Sequence, residues 1–147
     1  MWRRPRPDPA ATAAWAGFLG FARALDEGSR ALLATVPSAR RPGAPLEAGV
    51  AGFLAGLDAA RAELPAWDHP ALAGAQAATA AALDAAERRA RDLPAASDGL
   101  EFEHRNERVA EVLDELLPVQ AAEQALRDLR RRRQPARAGG RQTRQGR

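Results

Sequence analysis

Residues 45–65 read PLEAGVAGFLAGLDAARAELP. A proline stands at each end. Between them Leu46, Val50, Phe53, Leu54, Leu57 and Leu64 recur at the spacing of one helix face. The remaining positions are mostly Ala, Glu and Arg, which favour helix, and nothing alternates as a strand would. The stretch therefore reads as a helix that begins at Pro45 and ends before Pro65.

The same punctuation runs along the whole chain. Val36-Pro37, Leu64-Pro65, Leu93-Pro94 and Leu117-Pro118 each place a proline directly after an apolar residue. Proline lacks the N–H that continues a helix and crowds the preceding turn, so each is read as a boundary. Helix 1 is expected to open at Asp8-Pro9, with Asp8 capping the free amides. It carries Trp15, Phe18, Leu19, Ala22, Leu25, Leu32, Leu33 and Val36, and Gly28-Ser29 is a place where it could break. Ser38–Ala44 is a loop. The turn at Pro65–His69 places Trp67 over one end of the bundle, Asp68 or His69 caps, and Pro70 opens helix 3. Helix 3 is faced almost wholly with Ala, its only large apolar residues being Leu72, Leu83 and Leu93. After a turn at Ala95–Gly99, helix 4 carries Leu100, Phe102, Val109, Val112, Leu113, Leu116 and Leu117.

Pro118 poses a choice, because Val119–Arg133 is helical again with no cap or turn residue before it. A continuous helix from Gly99 to Arg133 would be about 52 Å long, and helix 2 only about 30 Å. A kinked continuation is preferred to a fifth element folding back. The expected fold is all-α: an up-down-up-down antiparallel four-helix bundle over 8–133, its fourth helix kinked or extended after Pro118. A basic segment at 1–7 precedes it, and an Arg-rich tail at 134–147, expected to be disordered, follows.

Composition excludes several chemistries. The chain of 147 residues has no Cys, Lys, Tyr or Ile, and all 22 of its basic residues are Arg. Thiol nucleophiles, thiolate metal sites, Schiff-base lysines and phenolic acids are therefore absent. The bias toward Ala, Arg, Gly and Pro points to a GC-rich coding region and a bacterial source. No stretch has the ~18 consecutive apolar residues of a membrane span. Met1–Ala22 has the outline of a secretory leader, but Asp8-Pro9 interrupts it and the apolar pattern runs on into helix 1, so a cytoplasmic location is expected.

Charge is segregated. All 19 acidic residues lie between Asp8 and Asp128, and every charged residue from Arg130 onward is Arg. An acidic body thus carries basic ends. Arg130, Arg131, Arg132, Arg133, Arg137, Arg141, Arg144 and Arg147 are the candidate polyanion-binding residues, since arginine makes bidentate phosphate contacts and releases counterions. No aromatic is interleaved among them for base stacking. A solubilising tail, or one that docks on the acidic body of its own or a second copy, accounts for the same residues.

Other sites are weaker. Glu101-x-x-His104 matches half of the Glu-x-x-His pair that holds two metals in di-iron bundles, but there is no second unit. Asp68-His69 lacks a serine partner. No catalytic residue, metal or cofactor is assigned, and no small-molecule substrate is evident. The leading expectation is a non-enzymatic helical protein that binds a partner protein or itself. The second is non-specific RNA or DNA binding through the Arg-rich tail. A metal-dependent bundle enzyme is a distant third.

Overall fold

The computed structural model of the chain describes residues 8–132. The basic segment 1–7, Arg133 and the tail 134–147 lie outside the described residues. Five α-helices follow one another: α1 (Pro9–Leu33), α2 (Leu46–Glu63), α3 (Ala73–Ser97), α4 (Phe102–Asp114) and α5 (Pro118–Arg131). Two single turns of tighter helix, Leu64–Trp67 and Pro70–Leu72, join α2 to α3. The architecture is an up-down-up-down four-helix bundle in which α4 and α5 together form the fourth rod.

The start of α1 follows its sequence signal. The Asp8 carboxylate accepts the Ala10 amide at 3.0 Å, and Pro9 occupies the first helical position. The helix does not break at Gly28-Ser29, because Gly28 is where α2 comes closest. A Cβ built on Gly56 would lie 2.6 Å from the Gly28 Cα and 2.9 Å from the Ala24 carbonyl. The missing side chains let two backbones meet, and that packing offsets the roughly 1 kcal/mol that a mid-helix glycine costs relative to alanine. α1 and α2 accordingly make the most extensive contact among the described elements.

At the α2–α3 turn His69, not Asp68, is the cap. Its Nδ1 accepts the Ala71 amide at 3.0 Å. Its Nε2 lies 3.6 Å from Asp8, so the cap residues of α1 and of the Pro70–Leu72 turn meet at one end of the bundle. Trp67 is wholly buried there, against Phe18 and Phe21 with ring centroids 5.8 and 5.1 Å away, and its indole N–H has no hydrogen-bond partner among the described residues. The core continues through Phe53, Leu57, Leu83, Leu93, Val112 and Leu126.

Four expectations are corrected. Pro94 does not end helix 3: α3 runs on to Ser97, and the turn is at Asp98-Gly99, where Gly99 takes the positive φ of 69°. A proline this near a C-terminus forfeits one hydrogen bond, and the buried Leu93 and Ser97 on either side hold the last turn in place. Helix 2 begins at Leu46, with Pro45 as its cap residue, and helix 4 begins at Phe102. Leu19, Leu33, Phe102 and Leu117 follow helical spacing, yet each is 43% or more exposed. On α3, Glu87 pairs with Arg91 at 3.2 Å, and Asp84 reaches Arg61 of α2 at 3.0 Å.

Pro118 kinks the fourth rod. Glu115, Leu116 and Leu117 donate to Val112, Leu113 and Asp114 in i→i−3 steps, and Pro118 then opens α5. α5 does not fold back. It continues toward the turn at Pro70–Leu72 and the beginning of α1.

Candidate interaction surface

The kink decides where the bundle stays open. α4 packs on α3 and scarcely meets α1, while α5 meets α3, α1 and the turn at Pro70–Leu72. Between α1 and the α4–α5 junction lies an open groove of about 390 Å³. Phe18, Ala22 and Leu25 line it from α1, and Leu113, Leu116, Leu117 and Val119 from the fourth rod. Phe18 is almost fully buried beneath it, while Leu117 is 57% exposed. Its polar members are Asp26, Ser29, Gln120 and Glu123.

Toward the start of α1 the groove meets a basic cleft of about 520 Å³ lined by Trp15, Arg127, Arg130 and Arg131. The Trp15 ring lies tilted against Phe18, centroids 5.5 Å apart, and the Arg130 guanidinium lies 4.4 Å from the Trp15 ring centroid. A cation over an indole face is attracted by the ring quadrupole. Arg127 is neutralised on its own helix by Glu123, at 2.5 Å. Among the described residues Arg130, Arg131 and Arg132 have no carboxylate partner. Arg130 and Arg131 also close the last turn of α5, where positive charge suits the helix dipole.

Of the eight arginines singled out in the sequence, Arg130 and Arg131 stand on α5 and Arg132 is its cap residue. Arg133, Arg137, Arg141, Arg144 and Arg147 lie outside the described residues. The structure adds Trp15, an aromatic that the tail itself lacks. The apolar groove was not singled out in the sequence, although Leu116-Leu117-Pro118-Val119 holds more apolar residues than one core stripe needs.

The remaining candidates sit apart. Glu101 is the N-cap residue of α4, and His104 is exposed in its first turn. Among the described residues no three His, Asp or Glu side chains come together as metal ligands. A recess of about 260 Å³ lies at the opposite end, between Thr35, Pro45, Phe102, Arg105 and Asn106. No lining residue there carries a buried polar atom without a partner.

Charge elsewhere ties helices together. Arg61 of α2 reaches Asp84 at 3.0 Å and Glu87 at 3.3 Å on α3, and Asp58 at 3.1 Å on its own helix. Burial works against the Arg61 charge, but Glu87 and Asp84 outweigh it and raise its pKa. The hydrogen bond from Arg61 holds the Glu87 carboxyl below the usual carboxylate range. Arg89 bonds Glu115, the cap residue at the end of α4, which raises its pKa, with Glu111 nearby at 3.7 Å. Among the described residues no helix is long and apolar enough to cross a membrane. In comparison with known proteins, the chain matches no family model, no curated protein and no solved structure.

Proposed function

We propose that this chain is a non-enzymatic helical interaction protein that works through the groove between α1 and α4–α5. The observation that carries the reading is the row Leu113, Leu116, Leu117 and Val119 facing Phe18 and Leu25 across an open groove. A bundle with no partner to hold gains by closing such a groove, since each large side chain moved out of water contributes roughly 1.5–3 kcal/mol. Helices recognise one another by laying an apolar stripe into a groove of this kind.

The test is a photoreactive residue in place of Leu117 in the full-length chain, irradiated in its native cells. A discrete adduct is expected from position 117 and not from Arg88, exposed on α3. Equal labelling at the two positions would remove the groove as the working surface.

A second reading has one observation of its own. Trp15 lies beneath Arg130 and beside Arg131, an aromatic among arginines, which is the chemistry that holds single-stranded nucleic acid. It is tested by comparing the full-length chain with one ending at Leu129 across a salt series. Binding by the full chain alone, falling steeply with salt and indifferent to sequence, is its signature.

A further inference from the structure

We infer that the α1/α4–α5 groove receives an amphipathic helix of a partner protein whose apolar stripe ends in acidic residues, and that Arg130 and Arg131 bind that acidic end. The inference rests on the groove being the interaction surface, and it gives the partner its chemistry. The walls require the apolar stripe. Leu117 is 57% exposed at the kink, and Leu116, Val119, Phe18, Ala22 and Leu25 line the groove with it. Trp15 and Leu25 are ten residues apart on α1, so about three turns of a partner helix, or about 16 Å, run from the kink to the basic cleft. Side chains at i, i+3, i+4 and i+7 of such a helix follow that row.

Charge selects which helix. The acids of the groove are already neutralised, since Asp26 pairs with Arg30 and Glu123 with Arg127. Among the described residues lining the groove and the cleft, Arg130 and Arg131 are left without a carboxylate, and both stand at the Trp15 end. A stripe ending in Lys or Arg would meet like charge there, and one ending in Asp or Glu is matched. Trp15 prepares Arg130 for that contact. A guanidinium resting over an indole face keeps the N–H fork at its edge for a carboxylate, and a side chain already held loses less freedom on binding. The chain's own ends are poorer occupants. Residues 1–7 and 133–147 carry arginine and no acid, and a basic segment is repelled where the groove meets its cleft.

The probe is a displayed library of peptides with leucine fixed along one helix face and Ala, Gln, Glu, Lys and Arg allowed elsewhere, selected on the full-length protein. Selected peptides are expected to carry Glu at one end of the stripe. Leu117→Glu should weaken a selected peptide at least ~tenfold, as loss of a central anchor does. Leu33→Glu, also exposed but outside the groove, should leave it unchanged, and circular dichroism checks that each variant keeps its helices. The double change Arg130→Glu/Arg131→Glu should weaken the same peptide at least ~tenfold, and replacing its terminal Glu by Lys should restore binding to that variant, because the charges are again opposite. Selected peptides that need Leu117 but show no acidic end overturn the inference and leave the groove reading standing. A chain that yields no peptide and instead dimerises through Leu117 does the same. If no peptide is selected, or the selected ones ignore Leu117, both fail. A single-stranded oligonucleotide that needs Arg130 and Arg131 and ignores Leu117, where no acidic peptide is selected, overturns the inference in favour of nucleic acid.

Discussion

The Cα of Gly28 leaves no room for a Cβ on residue 56: built on Gly56, that atom would stand only 2.6 Å from it. The seam between α1 and α2 is therefore closed to any larger side chain. Gly56→Ala should destabilise the fold by about 1–3 kcal/mol through overpacking, even though alanine is the better helix former. Gly74 is the control. It is also helical, and nothing lies within 4 Å of its missing Cβ, so Gly74→Ala should raise stability by up to about 1 kcal/mol. Urea denaturation of the two variants reads both signs.

The bridge from Arg61 to Glu87 should show as a pH dependence. Glu87 has a folded-state pKa below its ordinary value, so its contribution is complete above the ordinary carboxylate range. It is lost as pH falls through the lowered value, where the folded state also takes up the proton. Thermal denaturation of the wild type and of Glu87→Gln should therefore differ near neutrality and converge in acid. A gap that stays constant with pH would show that Arg61 gains nothing from the charge.

How much of this was legible beforehand depends on how local each signal is. Asp8-Pro9, the Pro65–Pro70 turn and the helical spacing in 45–65 act through neighbouring residues, and the helices stand where those signals put them, to within a few residues. Pro94 was misleading because the rule against proline assumes a helix interior, and the packing of Leu93 and Ser97 holds the last turn of α3 regardless. The contact of Arg130 with Trp15 joins the two ends of the described chain, and no local pattern reports it. The groove was hidden for another reason. Leu113, Leu116 and Val119 have the periodicity of core residues, and the lean of α4 toward α3 and away from α1 leaves them only half-buried.

Trp67 offers a separation of two effects. Its ring is wholly buried and its Nε1 hydrogen has no acceptor among the described residues. Trp67→Ala should cost about 3–5 kcal/mol, as large-to-small changes of buried aromatics do. Trp67→Phe should cost much less, because it also removes a buried donor that the native fold leaves unsatisfied. Equal losses in urea denaturation would show that the indole N–H is satisfied in solution, by water.

Arg130 covers one face of Trp15, and Arg130→Ala should uncover it. Acrylamide quenching of Trp15, read in a Trp2→Phe/Trp67→Phe background, should rise. Stability should fall by about 0.5–1 kcal/mol, the worth of an exposed cation–π contact. Unchanged quenching would mean that the guanidinium does not rest on the ring in solution.

The glycine seam has a consequence for the order in which the molecule comes apart. α1 and α2 are joined backbone to backbone, so they form the unit of highest local stability, while α3 contributes mainly alanine and α4 is held on one side. Amide protons of α1 and α2 should thus exchange only on global opening, and those of α4 through cheaper, partial opening. One wall of the groove is then fixed and the other compliant, so the surface adjusts its width around an incoming helix by moving the element least costly to displace.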